Sequence, residues 1–466
     1  MNLHFSKLQF LTIVVLKLTI HQVQTSILDT SIHQQISFGS ETPNQQFIKF
    51  KTEKPLTRLP SFQQIITESQ QRSNSNQFSS LSIEDYNSLS NHLESLNQPR
   101  LLRWSDGHQE WLTEGQKALV IWFEKGRRFV DVTDEVENSI RGFVGKDDQE
   151  DEILKNHPIE FPTEISWGKT HLKDMLKDIQ VARMKSRLTQ FTQFRTRYYR
   201  SSTGQKSQAW LLNLINEMVA LSPSNVTVSE FKHSWGQNSI IARFEAHPES
   251  DETSLESCQT FVIGAHQDST NLLPFLAAPG ADDDGSGTTS ILEAFSVLLS
   301  HAWSPKPNKG AVEFMWFSAE EGGLLGSQDI TKAYYTQERN LSGMVQFDMT
   351  AFVKQGTVPN VGLVTDFVDP ALTDYLRLII DEYLEIGWVN TKCGYACSDH
   401  ASFTKIGVPS AFAIESTFED SNHRIHSTND RFDFPEFSFE HMAEFSKLVI
   451  GLVVELAGKD VASHSK

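Results

Sequence analysis

Nowhere in its 466 residues does the sequence gather a cluster of basic side chains: 41 Lys and Arg are scattered among 59 Asp and Glu, for a formal charge of -18. Nucleic acid and anionic membranes are bound by clustered cations, so neither is expected as a partner. Long hydrophobic runs are missing as well. The apolar stretch from Phe10 to Leu16 is too short to span a bilayer, and no other stretch resembles a membrane helix. There is no internal repeat. Cysteine is scarce: Cys258, Cys393 and Cys397 are the three present. The close pair in "CGYAC" lacks the second Cys or His pair that structural zinc needs, which disfavours a zinc site. In an exported protein the pair points to a disulfide, leaving Cys258 as a free thiol.

What is present begins with a secretory pattern. Residues 1–26 combine Lys7, the short apolar run and the small residues Thr25 and Ser26, so we expect a signal peptide and an extracellular location. Sequons at Asn225 and Asn340 agree with export as glycosylation sites. From about residue 27 to 100 the chain is rich in Ser, Gln and Asn and reads as a tether unable to fold alone. A helical period between Trp104 and Val132 predicts a small helical module, closed by the acidic run "KDDQEDE" near residue 150. Residues 27–158 thus form an N-terminal segment, separable from the remainder of the chain, with a structural, chaperoning or inhibitory role. Arg127-Arg128 and the acidic run are its candidate cleavage points.

After Phe161, buried-strand patterns ("TFVIGAH", "AVEFMWFSAE", "GMVQFDMT", "VGLVTD", "SAFAIES") alternate with helical ones. Such alternation predicts an α/β fold over residues 159–466: a mixed, mostly parallel β-sheet between layers of α-helix. An early hairpin, "VTVSEFKH" to "SIIARFEA", supplies the antiparallel part.

Polar residues fall where the apolar runs stop: His266 and Asp268, Glu320 and Glu321, Asp348, and Glu415. Open α/β sheets bind ligands beyond the C-terminal strand ends. Histidine with several carboxylates is a donor set suited to zinc. Between these runs lies "GADDDGSG", three adjacent acids. Two unit charges about 4 Å apart repel by roughly 4 kcal/mol at an effective dielectric of 20, so a cation is expected beside them. One carboxylate can bridge two metals while its neighbours face hydrogen-bond donors or solvent.

The ordered motifs "GAHQDS", "GADDDGSG", "SAEEGGLLGS", "QFDMT", "CGYACSDHASF" and "RIHSTND" give the chain, from about residue 160 onward, a resemblance to the M28 family of metallo-aminopeptidases. It looks most like the secreted fungal leucine aminopeptidases, and its N-terminal part resembles their signal and propeptide. The resemblance implies two Zn²⁺ ions: His266 and Asp348 on one, Glu321 and His426 on the other, Asp283 bridging, with a cis peptide from Asp283 to Asp284. It also implies Glu320 as general base, Asp268 as the acid orienting His266, and Tyr395, inside a Cys393–Cys397 loop, as the oxyanion donor. By the same resemblance His400 is expected to support that loop, Glu415 to be structural and His423 to be a surface residue.

The resemblance further places Met349, Phe412, Ile414, Phe418 and Ile425 around the substrate side chain, which favours leucine-like residues; Ile414 reads equally as core. Ser421 stands where some relatives carry an aromatic. The expected partners are peptides with a free N-terminus and the chain's own propeptide, and the expected state is a monomer. Two other readings fit the fold: a single-zinc glutaminyl cyclase and a metal-free binding ectodomain. The former would not need five ligands, and the latter should have lost them.

Overall fold

In the computed structural model, strands β6 (Thr260–His266), β7 (Ala311–Phe317) and β11 (Ser410–Ile414) are buried at every residue. Such runs need cover on both faces, which parallel strands with helical crossovers supply. The structure describes residues 98–114, 117, 129–133, 159–245, 259–271, 276–306 and 310–457. All of these lie within one compact unit, Ser95–Lys466. The expected signal peptide, nearly all of the expected Ser/Gln-rich tether, Arg127-Arg128, the acidic run and Cys258 lie outside the described residues.

Adding β4 (Val226–Phe231), β5 (Ser239–Phe244), β8 (Leu341–Phe347), β9 (Asn360–Val364) and β10 (Gly387–Thr391) gives one eight-stranded sheet in the order β10-β9-β11-β8-β6-β7-β5-β4. The central run β11-β8-β6-β7 is parallel throughout. β4 and β5 are antiparallel to each other, and β5 is antiparallel to β7. The sheet is therefore mixed, as the early hairpin predicts. β10 has no counterpart among the strand patterns of the sequence: "GWVNT" is largely exposed and lacks an apolar run.

The helices Gly285–Ser300, Pro370–Tyr383 and Phe439–Ala457 bury their apolar faces in one core with β5, β6 and β7. Helix Gly285–Ser300 lies close to β8, for a Cβ on Gly287 would come 2.3 Å from the Phe347 carbonyl. Only glycine permits that approach. It brings the acid triplet, immediately before the helix, up to the ends of β6 and β8.

The expected helical module is corrected in part. Its described residues form a three-stranded antiparallel sheet, β2-β1-β3, from β1 (Pro99–Trp104), β2 (Gln109–Thr113) and β3 (Phe129–Asp131). Glu114 and Lys117 are helical, and the rest of the periodic stretch lies outside the described residues. β-Strand pairing overrides the helical period at Trp111 and Leu112, which pair with Leu101 and Arg100.

This small sheet packs within the same compact unit as the large one. Lys117, buried, donates to the Gly322 carbonyl at 3.1 Å and to Asp131 at 3.2 Å. Tyr199 donates its hydroxyl to Glu114 at 2.7 Å, and Arg100 bonds the same carboxylate at 2.8 Å.

Candidate metal centre

Because β6, β7, β8 and β11 run parallel, their C-terminal ends open on one edge of the sheet. His266 is the last residue of β6, Asp348 follows β8 directly, Glu415 follows β11, and Glu320 and Glu321 lie three and four residues past β7. Asp283 enters from the turn before helix Gly285–Ser300. His426 comes from the long loop after β11, in a left-handed conformation with φ 53°.

Two groups of donors result, His266 with Asp283 and Asp348, and Asp283 with Glu321 and His426, each with its ligand atoms within 4.8 Å of one another. Asp283 belongs to both. Its Oδ1 lies 3.1 Å from His266 Nε2, while its Oδ2 lies 3.0 Å from His426 Nε2. His266 Nε2 is 3.5 Å from Asp348 Oδ1, and His426 Nε2 is 3.0 Å from Glu321 Oε2. Glu321 Oε1 and Asp348 Oδ1 are buried without a hydrogen-bond partner. A buried carboxylate oxygen with no donor is costly, and a divalent cation satisfies it. The donor set thus fits two metal ions sharing Asp283.

The neighbours of Asp283 have other partners. Asp284, fully buried, accepts from the amides of His266 (3.0 Å), Gly287 (2.9 Å) and Met349 (3.1 Å). It caps the helix and ties it to the ends of β6 and β8. Asp282, equally buried, accepts from Ala351 N at 3.2 Å, Ser286 Oγ at 3.0 Å and Asn422 Nδ2 at 2.9 Å. Both outer acids therefore face donors, and neither faces solvent. The Asp283-Asp284 peptide is cis.

Further carboxylates repeat this use. Asp430 accepts from the amides of Asp282 and Asp283 at 3.0 and 3.1 Å. Asp268 accepts from those of Glu320 and Glu321 at 3.1 and 3.2 Å, with its Oδ1 3.5 Å from His266 Nδ1. Glu415 accepts from Phe352 N at 2.7 Å and Asn422 N at 2.8 Å. Ser398 donates to Asp348 Oδ2 at 2.7 Å. Asp430 and Ser398 were not foreseen from sequence. The quoted motifs contain both, but nothing distinguishes an amide acceptor from an ordinary loop residue.

Burial and crowding shift the proton affinities. Burial works against ionising Asp283, yet hydrogen bonds and charge from His266 and His426 outweigh it and hold the carboxyl far below its usual range. Burial raises Glu320 well above the carboxylate range; His266 opposes, while Glu321, Asp399 and Asp348 add to the rise. Burial, with Asp283 beside it, carries Glu321 up to about 7 against the pull of His426.

Met349, Phe412 and Ile414 form a buried apolar cluster with Val364, against which Phe418, Ile425, Cys393, Cys397 and Val368 pack. Val364 and Val368 were not foreseen. Cys393 and Cys397 form a disulfide, and Tyr395 within its loop is half-buried. Asp366 holds that loop by accepting from the amides of Cys393 at 3.0 Å and Gly394 at 2.7 Å. Ser421 is buried and donates to the Phe418 carbonyl at 2.9 Å. His400 is fully buried, its ring 5.1 Å from that of Phe412, and burial lowers it to about 3, so it is neutral. His423, Asn225 and Asn340 are exposed.

A Ser-His-Asp line also exists. His233 Nδ1 lies 2.8 Å from Asp329 and Nε2 2.8 Å from Ser239 Oγ. Ser239 is fully buried, however, and its oxygen accepts from Ser318 N at 2.9 Å, so the line braces the end of β7. No helix among the described residues is long and apolar enough to cross a membrane.

Residues 246–451 match the pattern described as Peptidase family M28. Leucine aminopeptidase 1 of Neurospora crassa is 44% identical over 371 residues, covering 78% of this chain and 86% of its own. Leucine aminopeptidase 1 of Uncinocarpus reesii is 44% identical, covering 77% and 89%. Among solved structures, the LapA aminopeptidase of Legionella pneumophila is 29% identical with a TM-score of 0.64, over 75% of this chain and 91% of its own. LapB of the same organism, 22% identical with a TM-score of 0.66 over 77% and 99%, shares the fold.

Proposed function

Since the chain belongs to peptidase family M28 and is a metallo-aminopeptidase, we propose that it releases leucine-like residues from the N-termini of peptides, using two zinc ions. Asp283 carries this reading: its two oxygens face two histidines of two donor groups. A single-zinc cyclase would not need that division, and a metal-free binding module would not retain all five donors. Nitrogen and oxygen donors without thiolate suit zinc.

When bound, the metal pair supplies an acidified water and polarises the scissile carbonyl. The chain's own residues do the rest. Glu320, whose proton affinity its burial raises, accepts a proton from the attacking water and passes it to the leaving amine. Asp268 fixes the Glu320 and Glu321 amides, and so the direction of both side chains. Tyr395 donates to the developing oxyanion. The substrate's free α-amino group is placed beside the second donor group, Asp283, Glu321 and His426, which favours amino- over carboxypeptidase action. Met349, Phe412, Phe418 and Ile425 enclose the apolar side chain.

We also take residues 27–158 to be a propeptide of an exported, monomeric, glycosylated enzyme. Docking of Lys117 on the carbonyl of Gly322, next to Glu321, supports a restraint on the catalytic loop. Metal analysis with release of leucine from a chromogenic amide tests the main reading. About two zincs per chain and metal-dependent release are expected; a metal-free, active protein would sink it.

A further inference from the structure

Arg197 belongs to neither donor group and to none of the strand-end motifs, yet its side chain is wholly buried beside them. Its Nε donates to the carbonyl of Gln267 at 2.8 Å, its Nη2 to that of Gly280 at 2.8 Å, and its Nη1 to that of Pro279. Gln267 stands between His266 and Asp268. Pro279 and Gly280 open the turn that presents Asp283. One guanidinium thus joins the two segments from which the shared aspartate and its facing histidine project.

The surroundings show that the join is built. The backbone amide of Arg197 donates to Ser269 Oγ at 3.0 Å, and its carbonyl accepts from Gln237 Nε2 at 3.0 Å. The guanidinium carbon lies 4.2 Å from the centre of the Phe191 ring. Gly280 has φ +52°, and a Cβ there would come 2.8 Å from Arg197 Nη2, so that turn has no room for a side chain. Burial lowers the guanidinium to about 10, while Asp430, Asp268, Asp284 and Asp283 pull it back up. It stays a cation at neutral pH.

A planar fork is what this task needs. Lysine offers a point charge that cannot aim separate donors at three carbonyls in fixed directions. Carboxylates crowded at ligand spacing repel one another until cations arrive. Something must hold their backbones in place beforehand.

We propose that Arg197 is a positioning residue for the metal centre: by bonding the Gln267, Pro279 and Gly280 carbonyls it keeps the His266 and Asp283 segments at ligand spacing, and so sets affinity for the metal pair. This rests on the two-metal reading of the donor groups. Groups that orient metal ligands typically change affinity by about 10–100-fold when altered.

The test compares the full chain with Arg197→Lys and Arg197→Met. Zinc affinity is read by equilibrium competition with a chromophoric chelator, and the metal-free fold by far-UV circular dichroism and Tm. Both variants are expected to keep their metal-free helix content and to bind zinc about 10–100-fold more weakly. A role confined to core packing would lower the metal-free Tm and leave zinc affinity alone. Should Arg197→Met not fold, Arg197→Lys decides: zinc affinity within twofold of the unsubstituted chain overturns the inference. An unsubstituted chain that takes up no zinc instead overturns the two-metal reading, and this inference with it.

Discussion

Asp268 Oδ1 accepts the backbone amide of Glu320 at 3.1 Å. The other oxygen takes the amide of Glu321, and the first also lies 3.5 Å from His266 Nδ1. Asp268→Asn would turn a donor toward groups that themselves donate. A loss of about 10–100-fold in kcat is expected, with an unchanged far-UV spectrum. Steady-state turnover of a leucine amide checks it.

Glu320→Gln keeps the size of the side chain and removes its ability to take a proton. Turnover should fall by about 100- to 10,000-fold, the usual worth of a positioned base. Zinc content, measured on the same sample, should not change, because Glu320 belongs to neither donor group.

Chelation should abolish turnover and lower Tm, and added zinc should restore both. A ligand that binds only the folded chain stabilises it by mass action. The unpartnered oxygens of Glu321 and Asp348 add to the loss when the metal is gone. Thermal melts across a zinc titration read the effect.

Phe418 packs, half-buried, on the cluster of Met349, Val364, Phe412 and Ile414. Phe418→Ala should cut kcat/KM for leucine substrates by about tenfold or more, since apolar contacts of this size carry roughly 1–3 kcal/mol. Alanine substrates, which barely reach that wall, should lose less. The ratio of the two kcat/KM values is the measurement.

Glu114, directly after β2 of the small N-terminal sheet, is opposed by burial but favoured more strongly by Lys117, Arg200, Tyr199 and Arg100, which carry it from 4.5 down to about 2. The folded value is depressed, so its contribution is full above pH about 4.5 and is lost as pH falls toward about 2. That contribution is on the order of 3 kcal/mol. Acid titration of tryptophan fluorescence should show Glu114→Gln releasing the β1-β2-β3 sheet at a higher pH than the unsubstituted chain.

The sequence carried the parallel sheet well, because strands buried on both faces must be written as unbroken apolar runs, as in "TFVIGAH" and "AVEFMWF". β10 was illegible for the opposite reason: an edge strand needs no such run. The strand-end donors stood out by position, whereas Arg197 did not, since its partners are backbone carbonyls that leave no trace in residue type. β2 and β3 were hidden by a helical period that local strand pairing overrode, and β1 lies just before that period.

The five donors are strung along the chain from His266 to His426, with the shared aspartate near the beginning and its second histidine near the end. Proteins emerge from the ribosome from the N-terminus onward. On the two-metal reading, an unfinished chain lacks His426 and cannot complete the second donor group, so hydrolysis would await nearly the whole of synthesis. On that reading a cell making this enzyme would be spared a peptidase that ripens while still being translated.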